Sequence, residues 1–363
     1  MAVHRNINVR SPFYVQLVTS EVNVTLELRI WSGDLISNRP TDATYTLLKE
    51  QSEGQSTFEI AELVRDYCVQ TEAYNSGKVW VETILNDTNA APTTTTYLAS
   101  EGYSLYKEGV QHNGNSYVSE FAALPEYDVE EYRVLTTEGR RTHFQVYVQP
   151  QNTTDWYYNT YDFYGGFAQK VMLDPSTQSS DQFVTVDIGR QIGKVVFYFD
   201  GDQFTVTADQ LDCNKYNAGV LDSSNDEPVY LHYVNKYGAK NSFPFSLKHM
   251  EDVSIKSDGF QRSVLNYNGL TNQNGKHAFR KRITATKQKF TVNTDWISEY
   301  YVKQLEELLL SEYVWASIPS VSSNKIPVNI TTSQLQKKNH LNDKLIQYSI
   351  QFDSGSDYLN TVR

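Results

Sequence analysis

Seven histidines, at positions 4, 112, 143, 232, 249, 277 and 340, are the side chains best suited to proton transfer or metal ligation near neutral pH. None stands at ligand spacing from another histidine or from a cysteine. His143 and His232 fall inside alternating runs, so an ordinary strand residue is the simpler reading of each. The two cysteines, Cys68 and Cys213, are too far apart in sequence to suggest a zinc knuckle or a disulfide framework. Carboxylates are densest at Glu126, Asp128, Glu130 and Glu131. A glycosidase needs only two at the right separation, but an acidic run reads first as a solvated loop. Asp222, Asn225, Asp226 and Glu227 offer oxygen ligands for calcium without the spacing of an EF-hand loop, which favours a plain turn. No Gly-x-Ser-x-Gly, His-Glu-x-x-His or phosphate loop occurs. The sequence therefore predicts no catalytic residue, no cofactor and no metal.

One group of cations stands apart. Lys276, Arg280, Lys281, Arg282, Lys287 and Lys289 follow one another with no acid between them. Such a stretch suits a subunit contact first, a solvated strand face second and DNA passing through a ring lumen third. The wider charge pattern gives that order its reason. Residues 1–235 carry 15 Lys+Arg and 32 Asp+Glu, a balance of −17, while residues 236–363 carry 17 and 11, a balance of +6; together they give −11. An acidic body with a basic C-terminal portion can pair head to tail with a copy of itself or with a neighbouring protein; surface charge that drifts between domains without a functional reason gives the same pattern.

The elements that must position these residues are mostly strands. The chain has 26 Tyr and 16 Phe against 3 Met, and β-branched residues recur in short alternating runs. Val22 to Ile30 alternate apolar and polar residues up to a Ser32-Gly33-Asp34 turn, the period of a half-buried strand. Further strands are predicted at 43–49, 79–85, 97–98, 143–148, 183–188, 194–199 and 204–208. Phe58–Tyr67 reads as a short crossover helix, 90–96 as a long loop, and Trp156–Tyr164 as irregular. Asp200-Gly201-Asp202 between aromatic runs is a hairpin signal. Val229–Phe245 reads as two aromatic strands around an Asn235-Lys236-Tyr237-Gly238 turn. A helix is predicted from an N-cap at Thr294, with Ile297, Tyr301, Leu305, Leu308 and Leu309 on its apolar face. Strands at 326–331 and 345–352 follow it.

The fold class is thus mainly β: β-sandwich domains with a short crossover helix and an α+β C-terminal module. The divisions expected are an N-terminal sandwich over 1–135, a middle hairpin region over 136–228 and a C-terminal domain over 229–363. No run is long and apolar enough to span a bilayer and no leader is visible at Met1, so no membrane insertion is predicted.

Three segments carry a resemblance. Ser11-Pro12-Phe13, Leu28–Gly33 and Phe58–Tyr67, the Asn235–Gly238 turn before Phe243, and Trp296–Leu309 with Pro327–Ile330 and Gln347–Phe352 together resemble structural proteins of tailed bacteriophages, including crAss-like phages of Bacteroidota. The resemblance implies a virion protein of the tail, collar or baseplate ring, assembled in the host cytoplasm. Its expected partners are copies of itself and other tail proteins. A rival is a receptor- or carbohydrate-binding tail-tip module that stacks sugars on Trp156, Tyr157 and Tyr158. A tail-associated glycan hydrolase ranks below both.

Overall fold

The computed structural model describes residues 5–19, 23–50, 52–74, 76–86, 91–109, 111–112, 131–137, 141–147, 157–173, 183–199, 202–211, 228–247, 249–263, 265–266, 271–272, 277–318, 324–336 and 345–356. They are mainly strand, as the alternating runs predict.

The N-terminal strands are β1 (Arg5–Asn8), β2 (Phe13–Val18), β3 (Asn23–Trp31), β4 (Tyr45–Glu50), β5 (Gln55–Glu59), β6 (Lys78–Asn86) and β7 (Thr93–Ser100), with α1 (Ala61–Arg65) after β5. Five form one sheet in the order β1-β7-β6-β3-β4, and β2 pairs with β5 and with Gln111–His112 in a second layer. Along β3, Val24, Leu26, Leu28 and Ile30 are buried while Thr25, Glu27 and Arg29 are half-buried, so the sequence period is the burial period. Inward side chains of both layers make one core, closed by Ala61 and Val64 of α1. The helix is shorter than predicted. Phe58 and Glu59 belong to β5, where Phe58 opposes Val15, and strand pairing claims them before the helix begins. Thr93–Thr96 is likewise strand rather than loop: it opposes Glu82–Leu85, and four β-branched residues suit a pleated surface.

The middle strands are β8 (Glu131–Thr137), β9 (Arg141–Tyr147), β10 (Tyr157–Tyr161), β11 (Phe167–Met172), β12 (Phe183–Gly189), β13 (Lys194–Phe199) and β14 (Asp202–Leu211). Their sheet runs β11-β10-β13-β14-β8, and β9 pairs with β12 beneath it. Between the layers lie Phe144, Val146, Val186, Ile188, Phe197 and Val206. β8 runs through residue 135 and pairs in this middle sheet. The segment Trp156–Tyr164 was expected to be irregular, yet β10 lies within it as an inner strand of this sheet. Its period was hidden because tyrosine occupies both faces. Tyr158 packs inward on Phe197, and Tyr157 stacks outward on Tyr198 with ring centroids 4.7 Å apart.

The C-terminal strands are β15 (Val229–Val234), β16 (Lys240–Phe245), β17 (Met250–Gln261), β18 (Phe279–Asn293), β19 (Val314–Ser317), β20 (Ile326–Ile330) and β21 (Ser349–Ser354), with α2 (Val302–Leu310) between β18 and β19. They form a seven-stranded sheet in the order β16-β15-β19-β20-β21-β18-β17. Tyr301, Leu305 and Leu308 seat the helix on its core, and Leu309 is half-buried there. Two boundaries differ from the sequence reading. Thr294 is no N-cap; its hydroxyl accepts a hydrogen bond from the Tyr348 amide at 2.8 Å. Ile297–Ser298 pairs instead with Leu345–Ile346, Ser298 caps a 3-10 turn over Glu299–Tyr301, and α2 starts only at Val302. That pairing also breaks the predicted 345–352 strand at Gln347-Tyr348.

Candidate functional site

The basic stretch lies on the outermost hairpin. Only Lys289–Asn293 of β18 pairs with β21, whereas Phe279–Gln288 pairs with β17 alone. Beyond the sheet, the two strands therefore form a ribbon roughly 30 Å long at about 3.4 Å per residue. A β-bulge at Thr284, where Lys256 opposes Ala285 and Ser257 opposes Ile283, shifts the register by one residue. Arg280 and Arg282 would otherwise face away from Lys287 and Lys289. The bulge brings all four to one face, beside Lys256, Asp252 and Asp258, and leaves Lys281 on the other. The Lys287 ammonium reaches Asp353 of β21 at 3.8 Å. The opposite face carries Val253, Ile255, Phe279 and Ile283, all more than 40 % exposed. The ribbon is basic on one side and apolar on the other. Of the predicted six cations, Lys276 lies outside the described residues.

A second polar assembly lies where the three groups of strands meet, and the β15–β16 hairpin is its centre. Every residue of both strands is buried. In its turn the Asn235 carboxamide oxygen accepts from the amides of Tyr237 and Ala239, each at 3.0 Å, and Gly238 takes φ +79°. The turn docks on the N-terminal strands: the Tyr103 amide donates to the Lys236 carbonyl at 2.8 Å, and the Ser100 hydroxyl to the Tyr237 carbonyl at 3.2 Å. A Cβ on Gly238 would lie 2.2 Å from the Ser100 hydroxyl. β16 meets the middle strands through the Lys240 amide, which donates to Gln145 Oε1 at 2.7 Å, and through Ser242, which bonds the His143 backbone. The Lys240 ammonium is buried among Thr71 O and Ser76 Oγ, each 2.6 Å away, and Ala73 O. Three acceptors match its three N–H donors, although burial pulls its pKa down to about 7.

Both histidines set aside as strand residues face a cleft at this junction. The His143 Nδ1 contacts Asp187, whose other oxygen accepts from Arg141 at 3.2 Å. The His143 hydrogen bond, joined by Arg141, holds the Asp187 carboxyl below its ordinary range. Burial drives the His232 imidazole well below its usual pKa, so it is neutral at pH 7. Its Nε2 stands 2.9 Å from Ser317 Oγ, the separation of a nucleophile and its base. Its Nδ1, however, meets the neutral Tyr74 hydroxyl at 3.5 Å rather than a carboxylate. A desolvated imidazole without an acidic partner is a weak base, so the contact works as a hydrogen bond between β15 and β19. Only tertiary structure brings these residues together, since His143 and His232 belong to different sheets with no shared motif.

The remaining candidates separate. Tyr157 and Tyr158 are strand neighbours on opposite faces, so they do not form one stacking platform, and Trp156 lies outside the described residues. On the outer face, the Lys170 ammonium lies 3.7 Å from the Tyr157 ring, beside exposed Phe167 and Met172. Glu126, Asp128, Glu130, the Asp222–Glu227 group and Cys213 lie outside the described residues, whereas Glu131 begins β8. Among the described residues no group of three His, Cys, Asp or Glu is arranged to hold a metal. No described helix is long and apolar enough to cross a membrane.

No protein-family model matches the chain, and no curated protein matches it. Among solved structures it is similar to native alpha-2-macroglobulin from Escherichia coli, spanning domains MG0-NIE-MG1, at 9 % identity and a TM-score of 0.18. That match covers 54 % of this chain and 64 % of the other, so the chain spans less than two thirds of it. It is also similar to the N-terminal four immunoglobulin domains of Dscam1 isoform 7.44, at 8 % identity and a TM-score of 0.17, covering 78 % and 69 %. Similarity at this level carries no argument about this chain.

Proposed function

We propose that this chain is a structural protein of a tailed-bacteriophage virion, acting through repeated subunit contacts in a tail, collar or baseplate ring. The two-faced ribbon carries the reading. An isolated two-stranded ribbon in water is marginally stable, and an exposed apolar face on it is a liability unless a neighbour covers it. The opposite basic face complements the acidic body, −17 over residues 1–235, of a second copy. The ribbon of one subunit then lies across the body of the next, and a closed ring satisfies every copy. Mass photometry and negative-stain imaging of the purified chain test this. The expected result is concentration-dependent closed rings, and a monomer at all concentrations overturns it.

A second reading rests on the outer face of the middle sheet. The Lys170, Tyr157 and Tyr198 stack, with exposed Phe167, supports a carbohydrate- or receptor-binding surface of aromatic platforms. Glycan-array binding by the monomer, lost in Tyr157→Ala, favours this reading over assembly.

A further inference from the structure

The cleft below β12 has a volume of about 510 Å³, within the range of small-ligand sites, and adjoins a second cavity of about 460 Å³. Arg141 and Arg190 line both. Arg190 holds φ +56° at the first central position of the two-residue turn between β12 and β13, where Gly189 and Ile192 exchange both backbone hydrogen bonds, so the turn fixes its place at the cleft. Lys325 enters from the opposite wall, its ammonium 4.0 Å from the centre of the Tyr74 ring. Among the described residues Asp187 is the one carboxylate on the wall, and His143 and Arg141 engage it. Arg141, Arg190 and Lys325 thus stand against a single carboxylate among the described lining residues. That is a local reversal of sign within an acidic body.

We infer that this cleft binds a small oxyanion of the phosphate class, held by Arg190 and Lys325, with Ser317 as a neutral hydrogen-bond donor at its edge. Guanidinium and ammonium groups facing a concave wall favour phosphate oxygens, and cations outnumber carboxylates among the described lining residues. Burial lowers the Lys325 ammonium below its ordinary value, opposed only by the Glu72 charge; a bound anion offsets that cost. Because Arg190 comes from the middle strands and Lys325 from the C-terminal portion, the ligand also bridges two parts of the fold.

Isothermal titration of the full chain with inorganic phosphate and with phenyl phosphate, at constant ionic strength, tests the site. Saturable one-site binding is expected, weakened at least about tenfold in Arg190→Gln and in Lys325→Gln, as loss of a charge-assisted hydrogen bond requires. Arg262→Gln, on the distant ribbon, leaves affinity unchanged. Tighter binding of phenyl phosphate assigns the site to an esterified phosphate, whereas equal or weaker binding assigns it to the free ion. Absence of saturable heat, or equal weakening by Arg262→Gln, overturns the inference. The titration reads the cleft whatever the assembly state of the chain, so either proposal can fail alone.

Discussion

Single residues at the three-way junction carry consequences out of proportion to their size. Gly238 combines a left-handed conformation with the close approach of Ser100, so both backbone and space select glycine there. Gly238→Ala is expected to lower stability by about 1–2 kcal/mol or more from the conformation alone, read as a drop in the urea midpoint. Lys240→Met keeps the apolar stem but removes the ammonium's hydrogen bonds to Thr71 O, Ala73 O and Ser76 Oγ, which keep their bonds within the 71–76 turn, at an expected cost of about 1–2 kcal/mol. Glu307 of α2 is a different case. Burial pushes its carboxyl up to about 8, with the Lys236 charge and amide opposing, and its Oε2 has no partner. The folded state therefore holds a proton that the unfolded chain releases near 4.5, and stability falls as pH climbs from that value through about 8. Glu307→Gln removes this fall. Urea midpoints at pH 5 and pH 9 should show the variant gaining on the parent only at the higher pH, by a few kcal/mol on the order of the pKa displacement. A parallel pH dependence in both proteins sinks the idea.

At the scale of the element, the ribbon turns on one inserted residue. The bulge at Thr284 gathers Arg280, Arg282, Lys287 and Lys289 on a single side, which spacing alone divides between two. Reversing Arg280, Arg282 and Lys289 to Glu is expected to abolish assembly at micromolar concentration, whereas Lys281→Glu, on the apolar side, leaves the basic contact in place. Sedimentation velocity separates the two outcomes. Arg280, Lys281 and Arg282 are exposed, so monomer stability should stay within about 0.5 kcal/mol for each of those changes, whereas half-buried Lys289 lies between Asp252 and Asp353 and its reversal should cost up to about 1 kcal/mol. Rings that survive the triple reversal remove the ribbon from the interface.

At the scale of the molecule, the described residues form three groups of strands that meet at one hairpin, and charge is divided along the chain. Contact between an acidic body and a basic arm is screened by salt, with a Debye length near 10 Å at 0.1 M falling to about 3 Å at 1 M. Ring formation is therefore expected to weaken between these salt concentrations, leaving an apolar residue of association that the Val253, Ile255 and Ile283 face supplies. Mass photometry across that series checks it, and assembly indifferent to salt assigns the contact to the apolar face alone.

What the sequence determines by itself is whatever local chemistry suffices to specify. Period-two burial marks β3, and the Asn235–Gly238 turn joins two aromatic strands because the Asn side chain accepts from two of its amides and the glycine takes its left-handed position. The apolar face of α2 is likewise legible, though its start is not, since pairing with Leu345–Ile346 takes the residues before it. Tyrosine on both faces concealed β10, because an amphipathic ring suits core and solvent alike. Only tertiary structure decided the side on which the cations lie and the meeting of His143, His232, Arg190 and Lys325 around one cleft. A one-residue bulge and the docking of separate sheets are non-local choices, set by how strands pair rather than by any residue's own preference.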